Sequence, residues 1–178
     1  MRRSKNKGVT ILELLIALAI LGILATVSLP GFMDMLGRMS ANSAAMALAG
    51  TLSLARSEAI KSGFDVSICA TQDGADCDAG NWSKGWIVFV DANTDANGDI
   101  GSVDVGDTVI RVFEPLAGMS LVVSPAVDLV QYDSRGYGKN SSILTFTICP
   151  LDGNDENARQ IEVSLSGRAR IEEEDLSC

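Results

Sequence analysis

From Val9 to Leu29 the chain runs for twenty-one residues with a single charged side chain, Glu13. As an α-helix this stretch is about 31 Å long at ~1.5 Å per residue, enough to cross a hydrocarbon core of ~30 Å. Pro30 and Gly31 interrupt the pattern, but it resumes at three- and four-residue steps through Phe32, Met35, Leu36 and Met39. Leu48, Leu52, Ala55 and Ala59 continue it, with Arg38, Arg56, Glu58 and Lys61 interspersed. The spacing predicts one helix over 9–62, kinked rather than ended at Pro30 and stopped by Ser62-Gly63. A separate soluble helix after a loop is the plainer alternative. Beyond Gly63 the texture changes to short β-like runs separated by Gly, Asp and Asn. They are Val66–Ala70, Gly85–Asp91, Thr108–Glu114, Ser120–Val123, Leu129–Asp133, Ile143–Cys149, Gln160–Leu165 and Arg168–Ile171. One long helix followed by these runs predicts an α+β protein whose head is mostly antiparallel sheet. The division expected is a membrane or filament-core half at 9–29, an amphipathic continuation at 30–62 and a head at 63–178. A fragment starting near residue 37 should stay soluble.

Charge sharpens the N-terminal half. Arg2, Arg3, Lys5 and Lys7 precede Gly8, and no further cation occurs before Arg38. A secretory signal peptide has a shorter apolar core and a small-residue cleavage site followed by polar sequence, and neither is present. A plain signal anchor fits the length and the basic flank. It does not account for Glu13, which costs roughly 2.5–3.5 kcal/mol or more at a membrane centre unless paired. Cleavage after Gly8 would give Val9 a free ammonium four residues before Glu13. That amine, from the same chain or a neighbour, is a partner for the carboxylate.

The run Gly8-Val9-Thr10-Ile11-Leu12-Glu13-Leu14-Leu15, with Pro30 beyond it, resembles the class III signal of type IV prepilins and type II secretion pseudopilins. The resemblance implies that residues 1–8 are a leader, that a prepilin peptidase cuts between Gly8 and Val9 and methylates the new N-terminus, and that Glu13 sets subunit register during filament assembly. Val9 stands where the family usually has phenylalanine. The likeness extends into the head. Leu54-Ala55-Arg56-Ser57-Glu58-Ala59-Ile60, Gly85-Trp86-Ile87-Val88-Phe89-Val90-Asp91 and Ser166-Gly167-Arg168-Ala169-Arg170-Ile171 are similar to segments of the GspH/FimT group of minor pilins. Major pilins match this set poorly. The Gly22–Pro30 region is more like the FimT/FimU pilus branch than the secretion branch. The implied fold is that of type IV pilins, a long N-terminal helix packed on a β-sheet head.

The remaining features are read from the residues themselves. All four cysteines lie beyond residue 68, and an even number in a small exported protein favours disulfides. Four cysteines allow three connectivities. Cys69 with Cys77, across a short Asp- and Gly-containing turn, and Cys149 with Cys178 is the preferred pairing. Histidine is absent, which excludes the usual His-based catalytic and zinc arrangements. The formal charge is −9, and loss of the four leader cations would leave 10 basic against 23 acidic side chains, or −13. A general nucleic-acid coat is thereby disfavoured, and any anion site must be a local patch. Trp86, Val88 and Val90 alternate with Ile87 and Phe89, as in a strand buried on both faces. Asp91, Asn93, Asp95, Asn97 and Asp99 alternate like the start of a calcium loop. Ala96 and Ser102 occupy the positions that need glycine and a bidentate glutamate, so a solvated hairpin tip is the expectation.

The last feature is Gly167-Arg168-Ala169-Arg170. On a strand Arg168 and Arg170 share a face about 7 Å apart, a spacing suited to neighbouring backbone phosphates. It resembles the Gly-Arg-x-Arg element associated with DNA binding in FimT-type pilins of natural transformation. Arg135, Lys139, Arg159, Arg168 and Arg170 all fall in the last 44 residues, whereas Glu172-Glu173-Glu174-Asp175 follows directly and opposes DNA. DNA contact and a structural or assembly role both stand as readings. The expectation is therefore a minor pilin, not an enzyme, with no cofactor and no metal. It would be held in the bacterial inner membrane by one pass with a periplasmic head, then incorporated into a pilus. Its partners would be other major and minor pilins, the prepilin peptidase and, as a candidate, double-stranded DNA. The alternative is a GspH-like minor pseudopilin of a type II secretion system.

Overall fold

The computed structural model describes residues 9–78, 80–92, 103, 106–151, 157–172 and 178, with the backbone alone at 27–30. A single helix, α1 (Ile11–Ser62), is followed by eight strands: β1 (Asp65–Ala70), β2 (Trp86–Asp91), β3 (Thr108–Phe113), β4 (Met119–Ser124), β5 (Leu129–Tyr132), β6 (Leu144–Pro150), β7 (Arg159–Val163) and β8 (Ala169–Glu172). Each of the eight expected runs forms a strand, with ends displaced by one or two residues. The helix begins two residues later than its apolar pattern because Thr10 caps it. The Thr10 hydroxyl accepts from the Glu13 amide at 3.2 Å, and the Leu14 amide donates to the Thr10 carbonyl at 3.1 Å, which makes Ile11 the first helical residue.

The chain falls into two compact units, Met1–Gly37 and Arg38–Cys178. In the first, the described apolar side chains are exposed, from Val9 through Ile11, Leu15 and Leu24 to Phe32. This is the part of α1 apolar and long enough to cross a membrane. In the second unit α1 turns one stripe inward. Ala41, Ala45, Leu48, Leu52, Ala55 and Ala59 are all fully or almost fully buried, and their alternating three- and four-residue steps keep them on one face. The alanines let the sheets approach the helix backbone closely.

The strands form two four-stranded antiparallel sheets, ordered β3-β2-β1-β5 and β4-β6-β7-β8. The inner faces of both and the alanine-leucine stripe of α1 make one core. Ile68, Trp86 and Val88 come from the first sheet, and Phe146, Ile148, Ile161 and Val163 from the second. Ile87 and Phe89 face the other way, into a smaller cluster with Cys69 and Cys77. Strand β2 is thus buried on both sides, as its unbroken apolar run requires. The Trp86 indole N–H donates to the Thr51 hydroxyl at 3.1 Å, and the Trp82 indole donates to the Val127 carbonyl at 3.0 Å. Each buried indole therefore has a partner. Disulfides join Cys69 to Cys77 and Cys149 to Cys178.

Candidate assembly and anion-binding sites

Gly8 lies outside the described residues. Val9 is 72% exposed and precedes Thr10, the cap of α1. Thr10 and Glu13 stand at the N-cap and third helical positions, the spacing of a capping box, so Glu13 lies where a carboxylate also interacts favourably with the helix dipole. Sequence reasoning assigned Glu13 to assembly alone and missed this local role. Its signal, Thr-x-x-Glu before an apolar run, was present.

At the other end of the chain, β7 and β8 are joined by a tight hairpin. The Gly167 amide donates to the Ser164 carbonyl at 2.8 Å, and the Ser164 amide donates to the Arg168 carbonyl at 3.0 Å. Leu165, Ser166 and Gly167 form the loop, and Gly167 takes φ +77°, the left-handed residue that closes a three-residue hairpin. A side chain at this position would also collide with its surroundings. A Cβ would lie 2.7 Å from the Gly136 carbonyl oxygen and 2.8 Å from Tyr132 Cε1. The glycine of the Gly-Arg-x-Arg element is thus fixed by backbone geometry and packing.

The two arginines differ in setting. Arg170 lies within β8, directly opposite Glu162 of β7, and its Nε is 3.9 Å from a Glu172 carboxylate oxygen. Arg168 precedes the strand, exposed, at the mouth of a groove of about 290 Å³. That groove is also lined by Ser53, Arg56, Ser57 and Ile60 of α1. Neither Arg168 nor Arg56 has a side-chain hydrogen bond or ion pair among the described residues. Tyr132, wholly buried beneath Gly167, has no partner for its hydroxyl among the described residues. Burial pushes this phenol well above its ordinary range, and the Arg56 charge only partly offsets the effect. Sequence reasoning treated Arg56 as one of several charges on the helix. Only the fold places it in the lining of the same groove as Arg168.

The other cations of the C-terminal third do not converge here. Arg135 forks onto the Asp133 carboxylate at 2.7 and 3.0 Å, and Lys139 is bound to Asp65 at 2.7 Å. Burial alone would raise the Asp133 carboxyl, but the Tyr137 amide and the Arg135 side chain and amide hold it below the usual carboxylate range. Of the acidic loop, residues 93–102 lie outside the described residues, as do Asp104 and Glu173, Glu174 and Asp175 of the C-terminal run. Asp91 is a buried strand residue whose carboxylate accepts from the Gln131 amide nitrogen at 3.0 Å. Among the described residues no group of three His, Cys, Asp or Glu could hold a metal.

An exposed apolar helix capped at its first turn, leading into a disulfide-tied head of two antiparallel sheets, defines a pilin-type subunit. Residues 44–167 match the family described as type II transport protein GspH, and residues 3–29 match the prokaryotic N-terminal methylation motif. The chain is 30% identical over 172 residues to the pilin-like protein PilA1 of Thermus thermophilus, covering 94% of this chain and 99% of that one. The type IV minor pilin FimU of Pseudomonas aeruginosa PAO1 has the same fold. The match has a TM-score of 0.58 at 25% identity, over 76% of this chain and 90% of FimU. The minor pseudopilin EpsH from the type 2 secretion system of Vibrio cholerae matches in fold with a TM-score of 0.50 at 18% identity, over 75% and 96% of the two chains. The protein belongs to the GspH/FimT family of type IV minor pilins. It is a membrane-anchored structural subunit with a soluble head, and not an enzyme.

Proposed function

We propose that the protein is a minor pilin of a type IV pilus, anchored by a single pass in the inner membrane until it enters the filament. The observation that carries this is the row of exposed apolar side chains from Val9 to Leu24, interrupted by one carboxylate, Glu13. Such a surface needs lipid or other helices of its kind around it. In this reading prepilin peptidase cuts between Gly8 and Val9, and the Val9 amine pairs with Glu13 of the same or a neighbouring subunit. Greater similarity to FimU than to EpsH favours the pilus. Gly8→Ala should leave the precursor uncut, seen as an unshifted mass. Glu13→Gln should leave processing and membrane insertion intact while the subunit disappears from sheared pili. A processed Gly8→Ala chain would sink the first claim, and normal incorporation of Glu13→Gln the second.

The head is the candidate DNA-contacting part, through Gly167, Arg168 and Arg170. The hairpin that presents both arginines in the open supports this reading, and the carboxylates beside Arg170 weigh against it. The full chain in uncharged detergent should bind duplex DNA in a salt-sensitive way, and Arg168→Gln/Arg170→Gln should lose most of that binding. Equal binding by the double variant would remove the hairpin from the reading. The GspH family match and the EpsH fold keep the secretion pseudopilus as the second reading. Loss of twitching on deletion, with secretion intact, decides for the pilus, and the reverse pattern for secretion.

A further inference from the structure

We propose that the phosphate grip of this head is the pair Arg56 and Arg168, which line one groove from α1 and from the β7–β8 hairpin, and that its occupant is a backbone phosphate of duplex DNA. The proposal rests on the DNA-contact reading above and changes which residues carry it. Arg170 shares its face with Glu162 and lies beside Glu172, so an incoming phosphate meets two carboxylates together with that guanidinium. At the groove no carboxylate is among the lining residues, and both guanidiniums are without protein partners among those described. Two guanidinium forks lining one groove from different elements offer a phosphate donors for separate oxygens, which fixes its position as well as its charge.

The groove is built to hold Arg56 in place. Gly136, at φ +81°, lets the turn after β5 close onto the helix, where a Cβ would fall 2.7 Å from Ile60 Cδ1 and 3.2 Å from Arg56 Nε. Arg56 Nε therefore lies against the Gly136 turn, and the same residue lines the groove. Ser53 and Ser57 turn their hydroxyl protons back to the Ala49 and Leu54 carbonyls, at 2.9 and 2.8 Å. The arginines are left as the donors that meet an anion. In a protein as acidic as this one, a local pair of unneutralised cations is where a polyanion can approach.

The test is arginine footprinting on the full chain in uncharged detergent. The protein is modified with phenylglyoxal with and without a short DNA duplex, and each arginine is read by peptide mass spectrometry. Arg56 and Arg168 should be protected together, and Arg170 less. In parallel, Arg56→Gln should weaken duplex binding roughly tenfold and lower the slope of log affinity against log salt by about one. Arg56→Lys, which keeps the charge, should restore most of the affinity. Protection of Arg168 and Arg170 without Arg56, with Arg56→Gln binding like wild type, would overturn this proposal and leave the DNA reading standing. No protection of any head arginine would overturn both. Protection of Arg56 by a glutamate-rich peptide and not by the duplex would overturn DNA as the occupant.

Discussion

Single residues in the head do work that their chemical type alone does not disclose. Gly167 needs a left-handed backbone and has no room for a methyl group between the Gly136 carbonyl and the Tyr132 ring. Gly167→Ala should therefore lower unfolding free energy by about 1–3 kcal/mol, read as a reduced urea midpoint with unchanged m. Gly118, at φ +70° with open space around it, carries the strain without the collision, and its alanine variant should lose less. Asp133 supplies a pH signature. Its pKa is lowered in the fold from an ordinary value of 3.8. Its contribution is thus complete above that ordinary value and is lost as pH falls through the folded one. The stability gap between wild type and Asp133→Asn should stay constant from neutral pH to about 5 and shrink below about 4. A gap that persisted unchanged to pH 2 would contradict this account.

The elements were legible where one periodicity held. The three- and four-residue steps of α1 marked its buried face from Leu48 to Ala59, whereas Phe32, Met35, Leu36 and Met39 on the same pattern are exposed, and alternating or unbroken apolar runs marked all eight strands. Legibility failed where a side chain or a distant element decides. The helix start depends on the Thr10 hydroxyl. The groove is lined by Arg56 and Arg168, 112 residues apart in the chain, which follows only from how the second sheet lies on α1. The strand β8 begins after Arg168 because that residue closes the hairpin. The helix itself makes a sharp prediction. Leu48 is fully buried and Met46, two residues earlier, is 59% exposed. Leu48→Ala should cost about 2–5 kcal/mol and Met46→Ala under about 0.5 kcal/mol, compared by thermal melts of the two variants. Similar losses would place the helix face wrongly.

For the whole molecule, the head closes its core from residue 41 onward, and it is bound by two covalent loops of different size. In the chain-entropy model the loop between Cys69 and Cys77, 8 residues apart, stabilises by about 2.5 kcal/mol, and that between Cys149 and Cys178, 29 apart, by about 3.6 kcal/mol. Cys149→Ser/Cys178→Ser should therefore lower the melting temperature more than Cys69→Ser/Cys77→Ser, in non-reducing scans of the same protein. The larger loop also bears on mechanics. It encloses β7, the hairpin and β8 in one covalent ring rooted in β6. Strand β8 is the outer edge of its sheet, the place where a sheet peels first. A load applied at the hairpin can draw out only the slack inside that ring before it pulls directly on β6 in the centre of the fold. With the Cys149–Cys178 bond formed, the edge that would be gripped is fastened at both ends. With the bond reduced, the same pull can unzip it from the tail.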